Sequence, residues 1–164
     1  MIFTGEAQNK VDTKGRTSVP APFRTLITSS PSRELAVFPS FRYKALEGMT
    51  FDMLIALTQQ DGAAEVNLFK RKANRFAPLL RATHRMHIEE TGRITLPANL
   101  LAFAGIEQTA VFTGEGNSFL IWSPEAHAEQ AAEDMAAAMS GDEEDEGFIV
   151  NFAAAAARAR GEMV

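Results

Sequence analysis

The 164-residue chain contains no cysteine. That excludes disulfides, a thiolate nucleophile and a zinc–thiolate centre. No apolar run approaches the ~18 residues that a membrane-spanning helix needs. No basic segment leading into an apolar one marks a secretion signal, so a cytoplasmic protein without a membrane partner is expected. Aromatic residues with a polar edge are scarce, with one Trp and one Tyr, and there are only three His. His84 and His87 are three residues apart, which on a strand puts them on opposite faces, and His127 lies far along the chain. Neither a metal site nor a cofactor is expected. No Ser-His-Asp pattern and no phosphate-binding Gly loop occurs.

Hydrophobic residues make up 46% of the chain, as in ordinary globular proteins. The length suffices for one sizeable core or two small interlocked ones. The net charge of −5 argues at first sight against a polyanionic partner. Its distribution argues otherwise. Residues 1–93 carry fourteen Lys and Arg against nine Asp and Glu, a surplus of five. Residues 94–164 carry two against twelve, a deficit of ten. Local charge, and not the total, decides where a polyanion can sit.

One stretch occurs twice. Val11-Asp12-Thr13-Lys14-Gly15-Arg16-Thr17-Ser18-Val19-Pro20-Ala21 is matched class for class by Ile88-Glu89-Glu90-Thr91-Gly92-Arg93-Ile94-Thr95-Leu96-Pro97-Ala98. Arg16 and Arg93 are 77 residues apart, too long a period for a solenoid, so two copies of one small unit are implied. In each copy an apolar strand residue precedes a carboxylate that can accept hydrogen bonds from turn amides. Gly15 and Gly92 then stand where a tight turn requires φ > 0. The following Arg leaves the turn at its tip. A short strand leads to Pro20 or Pro97, read as the first residue of a helix over about 21–27 or 98–104, with Gly105 as the stop of the second.

A doubled Asp-x-x-Gly-Arg-x-x-x-Pro in a chain of this length resembles the MraZ family of bacterial transcriptional regulators. The resemblance covers about residues 1–139, including Met1-Ile2-Phe3-Thr4-Gly5 and Phe119-Leu120-Ile121-Trp122. It implies an α+β fold of two AbrB-like swapped-hairpin β units in one pseudo-two-fold domain. It also implies a homo-oligomeric ring that binds repeated boxes of double-stranded promoter DNA upstream of the division and cell wall gene cluster, at the nucleoid. Two departures matter: Glu89 holds the second acidic position, and Thr91 stands where the first copy has Lys14. Both make the second tip less basic.

The organisation that follows is a first unit over 1–48, connecting helices over 49–82, a second unit over 83–123, a C-terminal helix over 124–139, and a tail over 140–164. Leu35–Phe38 reads as a buried strand, Pro39-Ser40 as a turn, and Phe41–Ala45 as a half-buried strand by its alternation. The second copy repeats the pattern with strands at Ala110–Phe112 and Phe119–Trp122 around a turn at Gly114–Asn117. Helices are expected at about 50–59 and from about 64, the latter kinked or ended by Pro78. Lys70, Arg71, Lys72, Arg75, Arg81 and Arg85 lie in a stretch without acids, either a solvated face, a contact to acids of a neighbouring subunit, or a phosphate-facing surface. Ser123-Pro124-Glu125 is a helix start. Asp142–Glu146 is a block of five like charges in a tail expected to be disordered.

For chemistry, Arg reads guanine through a bidentate fork while Lys and backbone amides hold phosphates. The candidate DNA-binding residues are therefore Lys14, Gly15 and Arg16, with Thr91, Gly92 and Arg93 from the second copy, and Asp12 and Glu89 shape the turns. The alternative within the fold is a protein-interaction module of antitoxin type. Paired carboxylates of an aspartic protease are disfavoured because a cation adjoins each turn and would keep both acids ionised. No enzyme is expected.

Overall fold

The computed structural model of the protein describes residues 2–59 and 76–140. It divides into two compact units, Met1–Ala126 and His127–Val164. The first copy contributes β1 (Glu6–Lys10), β2 (Arg16–Ser18), α1 (Ala21–Thr28), β3 (Glu34–Pro39) and β4 (Leu46–Thr50). Then come α2 (Phe51–Gln59) and α3 (Ala77–Ala82). The second copy contributes β5 (His84–His87), β6 (Arg93–Thr95), α4 (Ala98–Ala104), β7 (Thr109–Gly114) and β8 (Phe119–Trp122), and α5 (Pro124–Met139) follows. The class is α+β, as expected.

Six strands form an antiparallel sheet in the order β1-β7-β8-β4-β3-β5, and β2 pairs with β6 in a separate two-stranded ribbon. Replacing every strand by its counterpart in the other copy gives the same order read from the opposite edge. Neither copy closes on itself. β1 of the first copy pairs with β7 of the second, from Glu6↔Thr113 to Lys10↔Thr109. β5 of the second pairs with β3 of the first, from Glu34↔His87 to Val37↔His84. This is the exchange of hairpins that the AbrB-like class entails.

The core follows from that exchange. Val19, Phe23 and Ile27 of the first copy and Ile94, Leu96, Leu100 and Ala104 of the second belong to one buried cluster. Phe119 from β8 packs against Phe23 of α1 at 5.1 Å and against Phe3 at 5.1 Å between ring centroids. Trp122 is buried, with Nε1 donating to Thr113 Oγ1 at 2.9 Å, so it is a core residue and no base-stacking platform.

Several boundaries fall as the local pattern implies. Ser123 Oγ accepts the Ala126 amide at 3.1 Å and caps α5, and Gly105 closes α4 with φ +67°. Two expectations are corrected. Phe41–Ala45 is not a strand. The first copy has a longer connection between its last two strands, and the strand is Leu46–Thr50. The apolar–charged alternation belongs to the connection itself, where Phe41 is 71% exposed, Tyr43 lies 5.3 Å from Trp122, and the Arg42 guanidinium lies 5.2 Å from the Tyr43 ring. Pro20 and Pro97 occupy the N-cap, one place before the first helical residue. Pro78 stands in the first turn of α3, where its missing N–H breaks no helix bond. Of the basic stretch left with three readings, Arg85 pairs with Glu34 of its own chain, and its guanidinium lies 4.0 Å from the Phe51 ring centroid. The helix expected from about residue 64, with Lys70, Arg71, Lys72 and Arg75, and the acidic tail lie outside the described residues.

Candidate nucleic-acid interface

The two turns share one backbone design. The Gly15 amide donates to the Asp12 carbonyl at 3.0 Å, and the Asp12 amide donates to the Arg16 carbonyl at 3.0 Å. In the second copy Gly92 donates to Glu89 at 2.8 Å, and Glu89 donates to Arg93 at 2.9 Å. Both glycines are left-handed, with φ +83° and +82°. Each turn is also stitched to the other copy. The Leu96 amide donates to the Gly15 carbonyl at 2.9 Å, and the Val19 amide donates to the Gly92 carbonyl at 3.0 Å. Gly15 has a second reason to lack a side chain: a Cβ there would stand 2.5 Å from the Leu96 carbonyl oxygen.

The side chains of the two turns differ. Asp12 Oδ1 accepts the amides of Lys14 at 3.0 Å and Arg16 at 2.9 Å, while Oδ2 accepts Arg16 Nε at 2.6 Å. The Arg16 amide above all, then the Arg16 guanidinium and the Lys14 amide, hold the Asp12 carboxyl below its usual range, against the opposing effect of desolvation. This carboxylate is committed to hydrogen bonds as an anion, the reverse of a proton-sharing dyad. Glu89, one methylene longer, does not reproduce the cage. Among the described residues its carboxylate accepts only a long 3.5 Å bond from Thr91 Oγ1, so Glu89 shapes its turn through its backbone alone. Arg93 Nε donates to Thr91 Oγ1 at 3.3 Å instead of to an acid.

The turns lead into the β2–β6 ribbon, whose register is Arg16↔Thr95, Thr17↔Ile94 and Ser18↔Arg93. Thr17 and Ile94 are buried. Period-two alternation therefore puts Arg16, Ser18, Arg93 and Thr95 on the outward face. Arg16 and Arg93 lie on one diagonal, about 7–8 Å apart at Cα for such neighbours. The hydroxyls of Ser18 and Thr95 occupy the other. Lys14 is exposed to solvent. Thus Arg16 and Arg93 share the outward face of the ribbon, Lys14 and its counterpart Thr91 are exposed at the turns, and Gly15 and Gly92 are buried at the bends.

Sequence reasoning missed Ser18 and Thr95 as surface donors, although the hydroxyl two places after Arg recurs in both copies. It also missed Arg24, which α1 lays across Gly92. No local signal marks that contact, since it joins the helix of one copy to the turn of the other. Among the described residues there is no group of three or more metal-ligating side chains, and no helix is long and apolar enough to cross a membrane.

An α+β body with exchanged hairpins, two Gly-Arg turns and an arginine-bearing ribbon between them defines a doubled AbrB-like protein. Comparison with known proteins gives the family. Residues 79–149 match the family model described as "MraZ protein, putative antitoxin-like". The chain is 37% identical over 130 residues to the transcriptional regulator MraZ of Rhodospirillum rubrum, covering 76% of this chain and 81% of that one. It is 36% identical over 134 residues to that of Gluconobacter oxydans, covering 79% and 80%. It is 34% identical over 140 residues to that of Ruegeria pomeroyi, covering 78% and 81%. The chain belongs to the MraZ family.

Proposed function

We propose that the protein is a transcriptional regulator that binds double-stranded DNA by placing the β2–β6 ribbon in the major groove. The observation that carries this reading is the outward ribbon face, where two arginines and two hydroxyls alternate on diagonals. A major groove about 12 Å wide admits a two-stranded ribbon, and Arg offers the fork that matches guanine O6 and N7. Ser and Thr hydroxyls donate to or accept from base edges. Asp12 engages Nε of Arg16 and leaves the two Nη groups without a partner among the described residues. Lys14 holds phosphate and positions the ribbon without reading sequence. The relatives are transcriptional regulators by name, which supports regulation of transcription, a role that requires no catalysis.

A single ribbon spans few base pairs. Binding is therefore shared among several subunits of a ring-like homo-oligomer and several repeated boxes, which raises avidity without new contacts. The proposed role is repression of the division and cell wall gene cluster from those boxes, by a protein located in the cytoplasm and at the nucleoid. The test is a gel shift with DNA from upstream of the protein's own gene, beside random DNA of equal length. Preferential, salt-sensitive binding that is lost in Arg16→Ala is expected. Equal affinity for both DNAs, or no effect of Arg16→Ala, overturns the reading. Size-exclusion chromatography with light scattering should show a closed homo-oligomer, and a monomer that binds tightly would contradict the shared-binding scheme.

A further inference from the structure

We propose that Arg24 is part of the DNA-binding surface and gives the second turn the positive charge that Thr91 leaves out. The inference deepens the reading above and rests on it.

α1 belongs to the first copy, yet its Arg24 covers the turn of the second. A Cβ built on Gly92 would overlap the Arg24 guanidinium and come within 2.9 Å of its Cδ and Cζ. At the first turn, a Cβ on Gly15 would meet Leu101 Cδ1 at 3.3 Å. Leu101 is the counterpart of Arg24, since each is the fourth residue of its helix, four places after the N-cap Pro. The helix of each copy thus leans on the Gly of the other copy's turn. At one turn the leaning group is aliphatic, at the other a cation.

The charges complement this difference. The first turn carries its extra cation in its own sequence, as Lys14, and has Leu101 across from it. The second has Thr91 in that place and has Arg24 across from it. Each turn therefore presents two cations: Lys14 and Arg16 at the first, Arg93 and Arg24 at the second. Arg24 is half-buried as a residue, and its guanidinium has no hydrogen-bond or ion-pair partner among the described residues. A partly desolvated cation that no acid engages in an ion pair is a ready seat for a phosphate oxygen. Because it lies on the turn and not on the ribbon face, it contacts the backbone of the DNA and not the base edges.

Leu101 shows that an aliphatic group suffices for packing on the turn glycine. Arg24→Leu therefore removes the charge and keeps the contact. Gel shifts compare wild type, Arg16→Ala, Arg24→Leu, Arg24→Lys and the double variant Arg24→Leu/Thr91→Lys, on the upstream DNA and on random DNA, over a range of salt. Arg24→Leu should weaken binding to both DNAs alike, by about 3–10-fold, and make the dependence of log K on log salt shallower by about one per lost phosphate contact. Thr91→Lys should restore most of that loss, by returning the cation to the place it holds in the first turn. Arg24→Lys should bind nearly as wild type, and it carries the test if Arg24→Leu lowers the melting temperature. If Arg24→Leu binds as wild type while Arg16→Ala does not, the inference is wrong and the DNA reading stands. A weakened Arg24→Leu with unchanged salt slope and no rescue by Thr91→Lys also overturns it, because packing alone would then explain the loss. If Arg16→Ala binds as wild type, the DNA reading itself falls.

Discussion

Asp12 grips Arg16 twice, through the amide at 2.9 Å and through Nε at 2.6 Å. One carboxylate thereby closes the turn and orients the guanidinium that the turn presents.

Asp12→Asn and Asp12→Ala should separate these two tasks. Asn keeps an oxygen for the amides but loses the charge pair, whereas Ala loses both. Gel shifts should show weaker DNA binding in both variants, and thermal unfolding should show the larger loss of stability in Ala. The carboxyl is held below its ordinary value, so its contribution is fully present above the ordinary Asp value and is lost as pH falls through the lowered one. The stability advantage of wild type over Asp12→Asn should accordingly be flat near neutrality and vanish under acid. An advantage that grows on acidification would show that the carboxylate does not stabilise the turn.

Gly15 and Gly92 have the same left-handed conformation but unequal surroundings. An added Cβ at either adopts a conformation that costs about 1–2 kcal/mol. At Gly15 it also meets the Leu96 carbonyl at 2.5 Å, a backbone atom that moves only with the ribbon. At Gly92 the three atoms nearest to it all belong to the flexible Arg24 side chain. Gly15→Ala should therefore destabilise more than Gly92→Ala in denaturant titrations. Equal losses would mean that the φ angle alone matters.

The two ribbon arginines should not be equivalent in DNA binding. Arg16 is held by an acid, while among the described residues Arg93 has only the Thr91 hydroxyl. Arg16→Ala should cost about 1–3 kcal/mol of discrimination for a bidentate contact, and Arg93→Ala less, measured as the ratio of affinities for upstream and random DNA. Ser18→Ala and Thr95→Ala should shift sequence preference with little loss of non-specific affinity. Equal effects of the two Arg variants would mean that the grip of Asp12 on Arg16 adds nothing to recognition.

Thr17 carries a buried hydroxyl, and among the described residues its Oγ1 has no hydrogen-bond partner. Its counterpart across the ribbon is Ile94, so an aliphatic side chain already fits the matching site. Leaving a hydroxyl unsatisfied costs about 1–3 kcal/mol. Thr17→Val should raise the unfolding free energy by about 1 kcal/mol or more without changing DNA affinity, since the side chain points inward. A destabilised Val variant would reveal a partner for the hydroxyl.

Much of this fold was legible because the repeat carries its own local physics. Gly-Arg after an acid made the turns, Pro and Gly105 bounded the helices, and Ser123 announced α5. What was not legible depends on partners distant in sequence. Phe41–Ala45 alternates like a strand, yet residues 46–50 hold the place between β3 and β8. Glu89 stands where Asp12 stands, but one methylene keeps its carboxylate from the turn amides. Arg24 and Leu101 occupy the same step of the same helix, and only the exchange of hairpins reveals that each serves the opposite turn.

That exchange also loosens a constraint on evolution. When two identical chains trade hairpins, every substitution is made on both sides of the axis at once, and a charge gained at one turn is gained at the other. Fusing the copies turns the pair into a heterodimer written in one gene. Leu101 and Arg24 can then drift apart, and so can Lys14 and Thr91, each change answered by the other copy and not by itself. A DNA site recognised by such a protein has no reason to be a perfect palindrome. Its two half-sites are free to differ as the two turns do.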